Sequence, residues 1–383
     1  MVKILPGRKS NLALWVLIIL TSTALAVFFF VFKKTATAPM LSPNSDSSSS
    51  AKVATKAEPK PPDLTLENIF AGQPVSLSDL DQSKIVTLIA TGDVIPARGA
   101  NYPPVKSGNF HYNWEKTRAF LKAGDITLIN LEAPIIKGCP LISTGFTFCG
   151  DSRHIQGIVW AGVDVASLAN NHIGNFGSEG ISETIEILER AKVEYSGFGH
   201  LGRKKVKGVS FGFLAYNGIG VKIDRAALAS EIKKAKPKVD ILVVSVHWGK
   251  EYESLPMTDG NIAPDDPVEL GHLMIDSGAD LVVGNHPHWV QGVEIYQPKG
   301  LPSASAKGKL ITYAHGNFIF DQTWSAETQE GVVGTYSFYK GELVRVHYTP
   351  IKVGIKYQPF FATGKTATKI LKQMVDSSKK LAK

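Results

Sequence analysis

The amino-acid sequence predicts an α/β fold in which the strands are buried and mostly parallel. Short apolar runs recur along the chain, and helix-like segments lie between several of them, as expected when strands alternate with helices. Each run ends in polar residues of types that bind metals; the runs are KIVTLIATGD, DITLINLE, DVASLANNH, DILVVSVHWG, LVVGNHPH and KLITYAHGNF. Ligands of such folds bind beyond the carboxyl ends of the strands. The sequence therefore predicts one metal site at that edge.

Two helix-like segments support this alternation. Residues 178–192 place Ile181, Ile185 and Leu188 on one stripe, which is typical of a helix with one buried face. Residues 267–277 begin with a proline, which favours the first turn of a helix, and they space their apolar residues for burial. Both segments therefore predict helices that pack against a sheet.

The stretch LVVGNHPHW (Leu281–Trp289) shows the strand-end pattern most clearly. Its first half is short, apolar and rich in Val, which is typical of a buried strand. Pro287 cannot continue a hydrogen-bonded ladder, so we expect the strand to end there, with His286 and His288 on a stiff peptide. Two such imidazoles fit half of a metal site, although a surface loop with two exposed histidines has the same pattern. The other strand ends favour the metal interpretation.

The charge of the chain is concentrated at its two ends. Residues 1–60 hold eight Lys or Arg and two acids, and residues 361–383 hold six Lys and one Asp. The residues between them hold 28 basic and 31 acidic side chains. The basic balance therefore gives no reason to expect a domain that binds nucleic acid.

The N-terminal region predicts a membrane anchor. Leu12–Phe32 contains 21 residues without a charge, which is long enough to cross a bilayer as a helix. A cleaved signal peptide is the alternative, since Ala24-Leu25-Ala26 resembles a cleavage site, but six more apolar residues follow it. We favour an uncleaved anchor in the cell membrane, crossing once, with residues 1–11 in the cytoplasm and the body outside.

Composition divides the rest of the chain into four parts. Residues 33–63 are rich in Ser, Pro, Ala and Lys and predict a flexible linker. Residues 64–83 predict a lead-in segment packed on the main domain, residues 84–362. Residues 363–383 predict a basic helix that is docked or close to the membrane. The apolar face of this helix consists of Ile370, Leu371, Met374 and Val375.

Only two cysteines occur, Cys139 and Cys149, and both lie in one short stretch. Two thiols alone make a poor zinc site. For a domain outside the cytoplasm, we expect a disulfide that closes this loop.

Six segments occur in one order over most of the expected domain. They are TGDVIPAR (Thr91–Arg98), INLEAPI (Ile129–Ile135), SLANNHIGNFG (Ser167–Gly177), HWGKEY (His247–Tyr252), GNHPHWVQGVEIY (Gly284–Tyr296) and YAHGNFIFD (Tyr313–Asp321). On these segments the sequence resembles the CapA family of capsule-synthesis proteins, whose domain is similar to the calcineurin-like metallophosphatases. The resemblance implies a four-layer α/β/β/α sandwich with two divalent metal ions between the strand ends of its inner sheets.

The resemblance also implies a role for each matching side chain. The implied ligands are Asp93 and His288 for one metal, Glu132 as a bridge, and Asn171, His247 and His286 for the other. His172 would act as a general acid beside the leaving group. Carboxylate, imidazole and amide ligands suit Mn, Fe or Zn, and such a pair lowers the pKa of a bridging water and stabilises charge on the attacked centre. His286 and His288 are thus expected to serve different metals, with the His288 side the weaker.

The sequence departs from the wider metallophosphatase pattern near two of these residues. That pattern begins with D-x-H, whereas Ile95 stands two positions after Asp93 and leaves the first metal one ligand short. Relatives usually carry an Asp three positions after the general-acid histidine, whereas this chain has Asn175, which can orient His172 but stabilises its cationic form less. Arg98 is either a fork for a substrate phosphate or carboxylate, or a surface arginine.

Together these features predict a membrane-anchored extracytoplasmic protein that acts on an anionic cell-surface polymer, by resemblance poly-γ-glutamate. Its body would be a metal-dependent hydrolase that cleaves, releases or transfers the polymer. One alternative is a non-catalytic assembly or polymer-handling subunit beside a membrane polymer synthase. Another is a phosphoesterase that acts on nucleotides or wall phosphates.

Overall fold

The computed structural model describes residues 59–299 and 307–382. The predicted anchor, residues 12–32, and most of the predicted linker lie outside the described residues. Among the helices that are described, none is long and apolar enough to cross a membrane. The described residues form two large mixed sheets and one two-stranded sheet, with helices between the strands in sequence, which confirms the predicted α/β class.

The described residues contain sixteen strands. They are β1 (Ile85–Val94), β2 (Ile126–Leu131), β3 (Ile135–Ile136), β4 (Gly150–Asp151), β5 (Val165–Ser167), β6 (Glu194–Ser196), β7 (Gly202–Val206), β8 (Val209–Asn217), β9 (Ile241–His247), β10 (Leu281–Asn285), β11 (Val293–Tyr296), β12 (Lys309–Thr312), β13 (Asn317–Ile319), β14 (Glu330–Tyr339), β15 (Glu342–Val353) and β16 (Pro359–Phe361).

The helices are mostly short. They are α1 (Leu66–Ile69), α2 (Tyr102–Ser107), α3 (Arg118–Leu121), α4 (His154–Ala161), α5 (Gly177–Arg190), α6 (Arg225–Ala235), α7 (Pro267–Asp276) and α8 (Gly364–Leu381). The two helices expected from the sequence appear as α5 and α7. Asp266 caps α7 by accepting from the backbone N–H groups of Val268 and Glu269, and Pro267 occupies the first helical position.

Each sheet has a parallel centre and antiparallel margins. The first sheet has the order β16-β15-β14-β1-β2-β5-β6, and the second has the order β11-β12-β10-β9-β8-β7. Strands β1, β2, β5 and β6 run parallel, as do β8, β9, β10 and β12. Strands β14 to β16, β7 and β11 pair antiparallel. The prediction of mostly parallel strands is therefore confirmed for the sheet centres, and the antiparallel strands were not predicted.

Three cores define four layers. The largest core lies between the two sheets, where side chains of β1 and β2 meet those of β8, β9 and β10. A second core packs α4 and α5 on the outer face of the first sheet, and a third packs α6 and α7 on the outer face of the second. Leu88 faces the inner core and Ile89 the outer one, because successive side chains of a strand point to opposite faces. The layer order is α/β/β/α.

The two ends of the described chain cover one end of the inner core. Helix α8 buries Ile370 and Met374 there, and Leu66 and Phe70, at the two ends of α1, pack against the same core. The hydroxyls of Ser377 and Ser378 accept from the backbone N–H groups of Gly292 and Val293, which attaches α8 to the second sheet. The lysines of α8 remain on its outer side.

One segment of the chain passes from one sheet to the other. Strand β12 belongs to the second sheet, and β13, which follows after four residues, pairs with β1 of the first sheet. Within this crossover, the Gly316 carbonyl accepts from the Asp93 N–H at 3.0 Å. A Cβ on Gly92 would lie 2.0 Å from the same carbonyl oxygen, so only glycine fits beside the crossover.

Cys139 and Cys149 form a disulfide. The bond closes the loop between β3 and β4, which is mostly exposed up to Thr147 and includes the exposed Leu141 and Phe146. Cys149 itself is buried, and the neighbouring Phe148 packs beside the strand ends. The disulfide thus limits the motion of a loop that borders the predicted site.

Candidate metal centre

The carboxyl ends of the central strands meet where the two sheets face each other, and all six predicted ligands lie there. The first sheet supplies Asp93 near the end of β1, Glu132 directly after β2 and Asn171 after β5, and the second supplies His247 at the end of β9 and His286 and His288 after β10. Five of the six are fully buried, and Asn171 is half-buried. The site is therefore built by both sheets together.

Four of these side chains gather around one atom, Nε2 of His247. This nitrogen lies 3.0 Å from Oδ1 of Asn171, 3.1 Å from Nδ1 of His286 and 3.3 Å from Oε1 of Glu132. These are the ligands that the sequence analysis expects around the second metal. Their convergence from the ends of four strands in two sheets places amide, imidazole and carboxylate donors around a single point.

The His288 side is ordered by a second asparagine. Nδ1 of His288 lies 2.9 Å from Oδ1 of Asn317 and 3.1 Å from Oδ2 of Asp93. The amide nitrogen of Asn317 donates to the Thr328 carbonyl at 2.9 Å, so its oxygen faces the histidine. Nδ1 of His288 therefore carries the proton in the neutral ring, and Nε2 offers its lone pair to a metal.

Asn130 is a residue of this centre that the sequence analysis did not assign. Its side-chain nitrogen lies 2.8 Å from Oδ1 of Asp93 and 3.3 Å from Oε2 of Glu132, so it donates between the two carboxylates. Asn130 closes the run DITLIN two positions before Glu132, and both point to the same side of the chain because side chains alternate along a strand. That spacing was the signal available in the sequence.

The donor set fits a divalent metal pair. Ligand atoms of Glu132, His286 and His288 lie within 4.8 Å of one another, as do those of Asp93, Glu132 and His247, and Glu132 belongs to both groups. Oε1 of Glu132 and Nε2 of His286 are buried and have no hydrogen-bond partner in the described structure. Such orphaned atoms are costly unless a ligand satisfies them. These groups place His286 with His288 and Asp93 with His247, whereas the sequence predicts Asp93 with His288 and His286 with His247.

Burial and the contacts among these side chains shift their pKa values. Burial and the neighbouring Asp93 raise the pKa of Glu132 well above its ordinary value. Burial opposes the charged forms of Asp93 and His288, but their mutual contact outweighs it, so the pKa of Asp93 is lowered and that of His288 is raised to about 9. Burial lowers the pKa of His247 to about 3. His247 is thus a neutral ligand at physiological pH.

The backbone around these histidines is held in unusual conformations. His286 has φ 97° and His288 has φ 58°, both in the region that favours glycine. Tyr252, which has φ 61°, donates its N–H to the carbonyl of Pro287 at 2.9 Å. Backbone strain of this kind persists only where the surroundings impose it, and it is often found at functional sites.

His172 borders the centre without joining the ligand groups. Its Nδ1 lies 3.0 Å from Oδ1 of Asn175, which also accepts from the Phe148 N–H at 2.6 Å. Because that backbone group can only donate, the atom of Asn175 between them is its oxygen, and the neutral His172 ring carries its proton on Nδ1. Burial lowers the pKa of His172 to about 4. Nε2 of His172 is then an acceptor at neutral pH.

Arg98 is committed to contacts within the protein. Its Nε lies 3.1 Å from Oδ1 of Asp321, and its Nη1 donates to the Gly145 carbonyl of the disulfide loop at 2.9 Å. The guanidinium also lies 4.6 Å from the ring centre of Phe148, which in turn stacks against His172. Arg98 thus connects the disulfide loop to the wall of the site, and its expected contact with substrate stays a prediction.

Ile95 occupies the position at which the wider pattern has its second ligand. The side chain is fully buried and belongs to a small apolar cluster with Phe148 and Phe320. No rotation of this side chain supplies a donor atom, so the Asp93 end of the site has one ligand fewer than D-x-H would give it.

Comparison with known proteins identifies a family for this chain. Residues 87–322 match the family described as "Bacterial capsule synthesis protein PGA_cap", which is more than half of the chain. The chain belongs to this family. The capsule biosynthesis protein CapA of Bacillus anthracis is 27% identical over 280 residues, which are 66% of this chain and 64% of that protein. The family match includes all six predicted ligands.

Two further comparisons give a second relative and a protein of known structure. The PGA biosynthesis protein CapA of Bacillus subtilis (strain 168) is 29% identical over 210 residues, covering 49% of this chain and 50% of that protein. The chain therefore spans between half and two thirds of the length of these two relatives. A hypothetical protein of known structure from Thermus thermophilus aligns with 70% of this chain and 99% of its own, with 18% identity and a TM-score of 0.45.

Proposed function

We propose that this member of the capsule-synthesis family acts outside the cytoplasm, anchored to the cell membrane by residues 12–32, on an anionic surface polymer of the poly-γ-glutamate type. Its body is a metal-dependent hydrolase of the metallophosphatase type that cleaves, releases or transfers the polymer. The family match and the relatives named for capsule and PGA biosynthesis support the polymer. The uncharged N-terminal stretch and the disulfide support the location.

The observation that carries this proposal is the buried cluster at the strand ends. Nitrogen and oxygen donors from both sheets converge there, and two of their buried atoms lack a hydrogen-bond partner among the described residues. This donor set contains no thiolate, so it suits Mn, Fe or Zn. Two divalent ions bound there supply positive charge that lowers the pKa of water and stabilises negative charge on the attacked group.

The residues around the cluster orient the ligands and exchange a proton with the substrate. Asn130 donates to the carboxylates of both Asp93 and Glu132, and Asn317 fixes the tautomer of His288. In the proposed reaction His172 exchanges a proton with the substrate. Because its pKa is about 4, His172 is neutral at pH 7 and must take up a proton before it can protonate a leaving group.

A second candidate function is that of a non-catalytic assembly or polymer-handling subunit beside a membrane polymer synthase. The neutral partner of His172, Asn175, and the apolar Ile95 at the position of a ligand both favour slow chemistry. In this alternative the metals hold the two sheets together, and the polymer is bound without being cut.

Metal analysis and a polymer assay test these proposals together. The full chain is purified in detergent, its metal content is measured, and poly-γ-glutamate is incubated with it and sized by gel filtration. We expect about two metals per chain and shorter polymer. The His286→Ala variant should lose both the bound metal and the shortening of the polymer. His272→Ala is the matched control, because His272 bonds to Glu294 away from the site.

The outcomes separate the candidates. A wild-type protein without bound metal refutes the hydrolase proposal. Bound metal with unchanged polymer, together with co-purification of a polymer synthase, supports the assembly function. Bound metal with hydrolysis of bis(p-nitrophenyl) phosphate but not of the polymer supports a phosphoesterase instead.

A further inference from the structure

The His288 side of the centre has room for another ligand. Ile95 offers no donor atom there, and Nδ1 of His288 is occupied by Asn317 and Asp93. The metal-binding atom of His288 is therefore Nε2. An additional ligand must approach from the side that this nitrogen faces.

Glu251 lies on that side. Its Oε1 is 3.8 Å from Nε2 of His288, and its side chain is 37% exposed, so the carboxylate approaches from the open side of the site. Two atoms bound to one metal at about 2.1 Å lie roughly 3.0–3.4 Å apart in octahedral or tetrahedral geometry. A small rotation of the partly exposed Glu251 side chain therefore brings the two atoms to ligand spacing.

The turn that carries Glu251 is fixed to the histidine segment. The next residue, Tyr252, donates its N–H to the carbonyl of Pro287, which stands between the two histidines. The hydroxyl of Tyr252 accepts from the side chain of Gln322 at 2.9 Å, and its ring lies 6.1 Å from that of His288. The positive φ of Tyr252 directs the turn so that the preceding Glu251 carboxylate faces the site. Backbone strain of this kind is often found at functional sites.

We propose that Glu251 is the ligand that completes the metal on the His288 side, in the place of the absent D-x-H histidine. With the shared Glu132 and Glu251, that metal would have two carboxylate ligands beside the imidazole of His288. Carboxylate-rich sites suit Mn²⁺ better than nitrogen-rich ones do. The His247 side, with two imidazoles and an amide, differs from it in chemistry. This inference rests on the metal centre of the proposed function.

Titration with Mn²⁺ tests the inference. Full-length protein in detergent is stripped with a chelator and titrated with Mn²⁺, and bound metal is followed by equilibrium dialysis and by electron paramagnetic resonance. We expect the wild type to bind two ions with the spectrum of a coupled pair. Glu251→Gln should retain one ion with an uncoupled spectrum and bind the second at least about tenfold more weakly.

A matched control stands two residues away. Glu253 has the same 37% side-chain exposure and pairs with Lys250 at 3.3 Å, so Glu253→Gln should bind Mn²⁺ as the wild type does. Glu251→Asp, which keeps the charge on a shorter side chain, should bind the second ion with intermediate affinity. Thermal unfolding of the metal-free variants confirms that each is folded, and the partial exposure of Glu251 predicts little change.

Failure of this inference is distinct from failure of the proposed function. If Glu251→Gln binds two ions with wild-type affinity and coupling, Glu251 is not a ligand, although the metal centre stands. If the wild type and Glu251→Gln each bind a single ion, the inference is also refuted, and only the metal site on the His247 side is supported. If the wild type binds no Mn²⁺, Zn²⁺ or Fe²⁺, both proposals are wrong.

Discussion

Replacing Asn175 by Asp tests how the environment of His172 sets its protonation. In the wild type, burial lowers the pKa of His172 to about 4, and the hydrogen bond with Asn175 opposes this shift without outweighing it. Oδ1 of Asn175 lies 3.0 Å from Nδ1 of His172, and an opposite charge that close raises a histidine pKa by about 1–3 units. We therefore expect a pKa of about 5–7 in Asn175→Asp.

The measurement is an NMR titration of the histidine ring signals in the metal-free protein. Asn175→Ala serves as the control, since it removes the acceptor without adding charge and should leave the pKa at or below the wild-type value. Asn175→Asp keeps the acceptor for the Phe148 N–H, so the local backbone should persist. A variant whose His172 titrates within about half a unit of the wild type would contradict the electrostatic argument. If His172 is the general acid, the same variant should also be faster at pH 6.

Three further perturbations test other parts of the structure. Arg98→Ala leaves the buried Asp321 carboxylate without its partner and should lower the free energy of unfolding by about 3 kcal/mol, measured by urea denaturation in chelator. Reduction of the Cys139–Cys149 disulfide, which spans 10 positions, should lower it by about 3 kcal/mol, measured with and without reductant. A proton on His288, whose pKa is about 9, competes with metal, so affinity for Mn²⁺ should fall about tenfold per unit as pH decreases from 8 to 6, measured by equilibrium dialysis.

A specific result would contradict each of these three predictions. Arg153→Ala removes an arginine that is half exposed in its pair with Asp151 and should cost less than about 1 kcal/mol, so an equal loss in both variants would refute the argument from burial. Unchanged stability after verified reduction would show that the loop closed by Cys139 contributes nothing. Metal affinity that does not depend on pH would show that His288 holds no competing proton.

The site was more predictable from the sequence than the fold around it. Asp93, His247 and His286 each follow a short apolar run, and the carboxyl ends of parallel strands meet at one edge, so the convergence of these ligands follows from local pattern and one topological rule. The pairing of ligands was not predictable, because it depends on side-chain orientation across two sheets. Asn130 was missed although its position two residues before Glu132 was a signal available in the sequence.

The antiparallel hairpin of the first sheet could have been predicted. Strands β14 and β15 are joined by a turn at Lys340 and Gly341, both with positive φ, and β15 alternates more and less buried residues along most of its length. A Lys-Gly turn is a weaker signal than Asn-Gly, and β14 is buried on both faces, which hides the period of two. These two facts explain why the sequence did not predict this antiparallel hairpin.

The run KLITYAHGNF shows the limit of reading one apolar run as one strand. Its first part is β12 of the second sheet and its last part begins β13 of the first, with the crossover between them. His315 within it is buried, and its Nε2 lies 2.8 Å from the Tyr336 hydroxyl rather than at the metal ligands. A change of sheet leaves no signature in hydrophobicity, because both parts are equally buried.

The crossover at Gly316 also determines when the protein can take up its metals. Asp93 and His288 lie 195 positions apart, and Asn317, which orients His288, follows the crossover. Since these residues come together only after both sheets have paired, the ions are acquired at the end of folding and from the surroundings in which the body folds. If the body is exported as proposed, that source is the external medium, and the environment of the cell would set the supply of metal in place of the regulated pools of the cytoplasm.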